Sequence, residues 1–287
     1  MHPCTAIFFE FLDQCTLAPP FFPVFGLIPT PDTPFYQDFS LPLATKLEQQ
    51  KMRNLVELQE IERTFRFRYP ELYRRLCADG TLYAGEFTET WYEDFYPEIR
   101  KNPPLLLFNC DFETFYAEDV EAELRQMADP DDYRHIPKEI RLIPFGQNGA
   151  GDLYCFRLDE KADEIPVVFA PHDEEDATYV ARNLEDFIFT SLLEAAVSPY
   201  IPEGRDERTE YEDLRAQFRS HRPYLTPRRQ KVLEEYYRRK PFNYEAPATV
   251  GHGTEIRRGL LTTDEFAKTM KAEINYPKLY ETFTYMG

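Results

Sequence analysis

The sequence predicts an α+β fold: an antiparallel β-meander flanked by helices, with N- and C-terminal extensions. Three observations predict it. Between Ile140 and Ala196, short apolar runs with strand-like alternation are separated by turn-forming residues and then give way to helical spacing. From Thr45 onward, apolar residues recur at helical spacing until Pro70 interrupts them. Outside residues 45–196 the composition changes: residues 1–44 are rich in Phe and Pro, and residues 197–287 carry further helical patterns.

Taken in order, residues 1–44 form an arm. Pro19, Pro20, Pro23, Pro29 and Pro31 exclude a long helix there. Lys or Arg is absent before Lys46, and Glu10 and Asp13 interrupt the apolar run, which argues against a secretory signal. The many bulky apolar residues suit an arm packed on its own domain or on a second copy of the chain, so the arm is also what points to a homodimer. A first helix carries Leu47, Leu55, Leu58, Ile61 and Phe65 on one face, and a second carries Leu72, Tyr73 and Leu76 and ends at Gly80. Trp91, in an aromatic tract, is expected in the core. Leu105-Leu106-Leu107-Phe108 reads as a buried strand, and residues 112–127 as a helix with Phe115, Val120 and Leu124 inward.

The central segment is the most specific. Gln147-Asn148-Gly149-Ala150-Gly151-Asp152 separates two strand-like runs, and Asn148-Gly149 is a dipeptide that tolerates the positive φ of a tight hairpin turn. On the second arm, Tyr154, Phe156 and Leu158 alternate with Leu153, Cys155 and Arg157, as in a strand with one well-buried face. A third strand is expected over 165–170. A helix then begins at Asn183, whose side chain can cap the first turn, with Leu184, Phe187, Ile188, Ser191, Leu192 and Ala195 against the sheet. In the C-terminal extension, Thr226-Pro227 starts one helix and Thr262-Thr263-Asp264-Glu265 is a capping box for another. Tyr276-Pro277-Lys278-Leu279-Tyr280 echoes Tyr69–Tyr73, too briefly to establish a repeat.

This order of parts carries a resemblance. Pro144-Phe145-Gly146, the turn Gly151-Asp152, the aromatic strand 154–158, Pro166-Val167-Val168 and the helix Leu184-Glu185-Asp186-Phe187-Ile188 resemble the SUKH superfamily. Upstream, Ile61-Glu62-Arg63-Thr64-Phe65 and Tyr69-Pro70-Glu71-Leu72-Tyr73 are similar to its opening helical pair, with Tyr69 where the family pattern has Leu. The resemblance covers Lys46 to Ala196. That superfamily includes fungal cell-wall-synthesis regulators and many bacterial immunity proteins. It therefore implies a non-catalytic protein-binding module, and for the bacterial members a protein toxin as partner, often a nuclease with a basic active cleft.

Charge agrees with that expectation. The chain carries a formal −18, and residues 1–204 hold 17 Lys or Arg against 38 Asp or Glu, whereas residues 205–287 hold 16 against 13. The acidity belongs to the family-like part. Two runs concentrate it: Asp111, Glu113, Glu118, Asp119, Glu121 and Glu123, continuing to Asp129, Asp131 and Asp132; and Asp173, Glu174, Glu175 and Asp176, with Asp163 and Glu164 nearby. Of these, Asp111, Glu113, Glu118, Asp119, Glu121 and Asp173, Glu174, Glu175, Asp176 are the candidate partner-binding residues. Such a surface repels phosphate, so nucleic acid is not the expected partner, and a basic protein is. No apolar run approaches the ~20 residues a membrane-spanning helix needs, so no membrane association is expected.

No nucleophile elbow or paired His on a helix face occurs in the sequence. The alternatives to toxin binding are an intracellular scaffold or regulator of the same fold and, second, a metal-assisted hydrolase around His172, since distant residues can still assemble an acid–base pair. Gly146, Gly149 and Gly151 lack the following Lys-Ser/Thr of a phosphate cradle and lie between strands rather than before a helix. His172 with Asp173–Asp176 offers metal-ligand types, but neighbours in one turn do not by themselves converge on an ion. No catalytic residue, metal or other cofactor is expected. The cysteines Cys4, Cys15, Cys77, Cys110 and Cys155 show no Cys-x-x-Cys pair and read as free thiols of a cytoplasmic protein.

Overall fold

The computed structural model describes residues 43–85, 90–109, 111–160, 164–197, 199, 206–248 and 253–287. The arm over residues 1–42, Cys110, Asp163 and His252 lie outside the described residues. Helix α1 (Leu43–Thr64) is followed by α2 (Glu71–Asp79). Pro70 separates them, and Gly80 ends α2 with φ +78, its N–H returning to Leu76 and Cys77 carbonyls. Two single turns, α3 (Trp91–Asp94) and α4 (Tyr96–Ile99), come next. Trp91 is buried and donates its indole N–H to the Ala84 carbonyl at 2.9 Å.

Strand β1 (Glu113–Thr114) and helix α5 (Ala117–Met127) divide the segment expected to be helical throughout. The division has a cause: residues 113–114 pair with Gly146 and Gln147, so their backbone joins a sheet edge. Strands β2 (Leu142–Gln147), β3 (Leu153–Arg157), β4 (Val167–Ala170) and β5 (Asp176–Ala181) form the meander, and helix α6 (Leu184–Val197) follows. The C-terminal region comprises α7 (Glu207–His221), α8 (Pro227–Tyr237), the hairpin β6 (Phe242–Pro247) and β7 (Thr254–Gly259), α9 (Thr263–Glu273) and β8 (Thr282–Thr284). Strand β8 pairs with β5, giving a six-stranded antiparallel sheet in the order β1-β2-β3-β4-β5-β8. The fold is α+β, with helices flanking an antiparallel sheet. No helix among the described residues is long and apolar enough to cross a membrane.

Both faces of the sheet are buried, where one was expected. On one face Phe145, Tyr154, Phe156 and Phe169 pack with Tyr73, Leu76, Ile188 and Leu192, and Phe145 stacks on Phe156 at 4.4 Å. On the other, Leu142, Leu153, Cys155 and Val168 pack with Tyr179 and Tyr285, under a cover that includes Met127, Ile136, Ile140 and Met286. Helix α6 is also buried beyond its sheet face, because α7, α8, α9 and β7 contact it. Tyr244 and the Leu260 N–H donate to the carbonyls of Val197 and Ala196, satisfying acceptors that a helix C-terminus leaves open, and Tyr237 donates to the Leu192 carbonyl one turn earlier.

Residues 105–108 are a turn, not a strand. Two of their N–H groups go to side chains of α7, Leu106 to His221 Nε2 at 3.0 Å and Phe108 to Gln217 Oε1 at 2.6 Å, while Leu105 and Leu107 donate to the carbonyls of Thr81 and Pro104. Pairing with another strand is therefore unnecessary, and Leu106 sits at φ +51. Tyr276–Tyr280 is likewise a loop rather than a helix start, so its likeness to Tyr69–Tyr73 does not extend to structure.

Candidate functional site

The β2–β3 connection builds the site's base. Asn148 is buried, its side-chain oxygen accepting from Ala150 N–H (3.0 Å) and Asp152 N–H (2.8 Å) and its amide donating to Asp152 Oδ2 (2.8 Å). The connection is thus a five-residue loop over 148–152 closed by an Asn side chain, not a two-residue Asn-Gly turn. The positive φ falls at Gly151 (+90) rather than at Gly149.

Asp152, fixed in this way and 6 % exposed, accepts from both the backbone N–H of His172 (2.9 Å) and its ring Nδ1 (2.7 Å). No local motif joins these residues, which are 20 apart in sequence; adjacent antiparallel strands β3 and β4 bring their ends together. The carboxylate is an acceptor, so Nδ1 carries a proton; in the neutral imidazole Nε2 is then the acceptor. Asp173 completes a group with ligand atoms within 4.8 Å of one another. The turn at His172 thus does find a converging carboxylate, supplied from outside its own run.

Above this base lies a cleft of about 130 Å³. Helix α5 contributes Glu123 and Gln126, the following loop Tyr133 and Arg134, the β2–β3 end Gln147 and Gly151, and the C-terminal segment Tyr285; His172 closes the far side. Arg134 is 4 % exposed and spent internally: Asp132 receives two of its hydrogen bonds, at 2.8 and 2.9 Å, and Glu123 a third. Those bonds hold the Asp132 carboxyl below the usual carboxylate range.

The two acidic runs differ in what their charges do. In the first, Glu121 pairs with Arg125, Glu123 and Asp132 pair with Arg134, and Asp119 caps α5 by accepting from Tyr116 N–H at 2.9 Å. Glu118 is exposed in the same first turn. Asp111 and Glu113 stand at the sheet edge, where burial raises both carboxyls above the ordinary value; Asp111 accepts from Gly149 N–H and Glu113 from Gln147. In the second run, Asp173, Glu174 and Glu175 are exposed, and among the described residues none of them has a cation within ion-pair distance. Asp176 is exposed too but begins β5 and accepts from Thr284 Oγ1 at 2.7 Å. Glu164 pairs with Arg182. The structure brings Glu123 of the first run and His172, beside the second, onto one cleft; Asp111, Glu113, Glu118, Asp119 and Glu121 do not line it.

The fold order and this geometry meet a family pattern. Residues 54–190 match the model of the SMI1 / KNR4 family (SUKH-1). That segment belongs to the SUKH superfamily. The SUKH match spans the second half of α1 through the first half of α6 and so contains every residue lining the cleft except Tyr285. Tyr285 reaches the SUKH segment through β8, its hydroxyl donating to the Pro171 carbonyl. Comparison with curated proteins and with solved structures gave no match.

Proposed function

We propose that this SUKH protein is a non-catalytic binding module that acts as an immunity protein, neutralising a protein toxin through its acidic surface in a bacterial cytoplasm. The observation that carries the reading is the exposed trio Asp173, Glu174 and Glu175, which follows the cleft residue His172 in the chain and has no cation within ion-pair distance among the described residues. Carboxylates already spent on Arg125 or Arg134 have less charge to offer a partner; these three retain theirs. A nuclease toxin is the fitting class, because a cleft that holds nucleic acid is basic, and clustered carboxylates accelerate encounter with it by ~10 to 10³-fold at low salt. Blocking such a cleft requires no chemistry.

The test is growth rescue. The chain is co-expressed with each toxin domain encoded near its gene, then again with Asp173→Asn, Glu174→Gln and Glu175→Gln combined; Asp176 is left intact because it supports the β5–β8 pairing. Rescue that the triple variant loses while still folded supports the proposal. Rescue from none of the toxins favours a regulatory scaffold of the same fold.

A second reading has one observation in its favour. Asp152, His172 and Asp173 form a group of metal-ligand types within 4.8 Å, as a metal-assisted hydrolase would need. Metal analysis of the purified chain checks it: stoichiometric zinc or another transition metal, lost in His172→Ala, would favour hydrolysis over simple binding.

A further inference from the structure

The cleft beside His172 has a chemistry more specific than negative charge. Its walls present hydrogen-bond acceptors and aromatic faces. Gln147 donates one amide N–H to Glu113, which leaves its carbonyl oxygen and its second amide N–H uncommitted by that bond. His172 offers Nε2 once Nδ1–H is committed to Asp152. Glu123 gives one oxygen to Arg134 and keeps the other, while Tyr133, 56 % exposed and with Arg134 over its ring at 5.4 Å, supplies the open aromatic surface and Tyr285 lines the cleft from the core. The cationic side chain lining the cleft, Arg134, is buried and bonded to Asp132 and Glu123, so it does not oppose a second cation.

We propose that this cleft receives one arginine side chain of the protein partner. The inference rests on the immunity reading for the partner's identity, though not for the cleft's chemistry. A guanidinium has five N–H donors in a planar fork and no acceptor, and it can stack flat on a ring, which suits walls of acceptors and tyrosine; an ammonium has three donors and no planar face to stack. Size agrees: a cavity of ~150 Å³ holds a benzene molecule, and the four heavy atoms of a guanidinium need less than the about 130 Å³ here. Glu123 shares its charge with Arg134, so further countercharge comes from Asp152 and Asp173, which adjoin the cleft residue His172 without lining the cleft.

The test needs no toxin. The ¹⁵N-labelled full chain is titrated with N-acetyl-arginine amide and, separately, with N-acetyl-citrulline amide, a neutral analogue of nearly the same shape. Saturable amide shifts at Tyr133, Arg134, Gly151 and His172 are expected with the arginine probe, at least about tenfold weaker with citrulline because charge-assisted bonds are lost. Gln126→Arg, at an exposed position of α5, places a cation at the cleft and should abolish the response while leaving the rest of the spectrum in place. Absence of saturable shifts at those amides, equal response to citrulline, or a response to zinc chloride but not to the arginine probe would overturn the proposal. Where the arginine probe binds but no toxin is neutralised, the immunity reading falls alone. Where rescue depends on Asp173–Glu175 but the probe ignores the cleft, the arginine proposal falls alone.

Discussion

Arg229 reaches Asp186 at 2.5 Å, a buried ion pair that fastens α8 to the first turn of α6. Asp186 is fully buried, Arg182 adds a second contact at 3.2 Å, and the Asn183 side chain accepts from Asp186 N–H at 2.8 Å. The last helix of the family-matched segment is therefore wedged between the sheet and the C-terminal region.

Removing Arg229 strands a buried carboxylate. Arg229→Ala should destabilise the chain by about 3 kcal/mol, toward the lower end of buried-pair losses because Arg182 still contacts Asp186. Urea unfolding followed by far-ultraviolet circular dichroism measures it. A midpoint unchanged within error would show that α8 does not stabilise α6 through this pair.

His221 sets an acid limit. Burial pushes its imidazole down to about 4, and its Nε2 is the acceptor for Leu106 N–H, so a proton there removes the bond. A lowered folded-state value means the unfolded chain binds the proton more readily. Stability attributable to His221 is whole above its ordinary 6.5 and is lost as pH falls through that value toward about 4. His221→Gln, which retains an acceptor without titrating, should flatten the decline of the urea midpoint across that window.

Glu194 works in the opposite direction. Burial pushes its carboxyl up to about 8, and among the described residues no cation lies within ion-pair distance to offset it. A raised carboxyl contributes stability below its ordinary value of 4.5, and that contribution is lost as pH rises through about 8. Glu194→Gln should raise the melting temperature near pH ~9 and leave it almost unchanged near pH ~4. Equal effects at both pH values would contradict a half-buried Glu194 whose carboxyl is raised by loss of solvent.

Much of this was legible locally because local chemistry decides it. Pro70 and Gly80 bracket α2, Thr262 and Glu265 form a reciprocal capping box, and Asn183 caps α6. The strand over 176–181 was hidden by its own first residues, since Asp176 continues an acidic run and only the alternation of Ala177, Tyr179 and Ala181 marks the buried side. Leu105–Phe108 misled for the reverse reason: an apolar run is equally suited to a buried turn when distant side chains such as His221 and Gln217 take its N–H groups. The candidate site was half visible. Charge runs are written in the sequence, but which carboxylates remain free depends on where Arg125, Arg134 and Arg182 fall after folding. Asp152 offered one local signal, its spacing of four from Asn148 around glycines; its pairing with His172 exists only once β3 and β4 align.

The central claim is that free carboxylates on the SUKH segment bind a basic toxin. Isothermal titration of the purified chain against a toxin domain encoded beside it, at low and at physiological salt, tests this most directly. The account predicts one-to-one binding that weakens with salt and weakens at least about tenfold when Asp173→Asn, Glu174→Gln and Glu175→Gln are combined. Binding of the same strength in the triple variant, insensitive to salt, would contradict it.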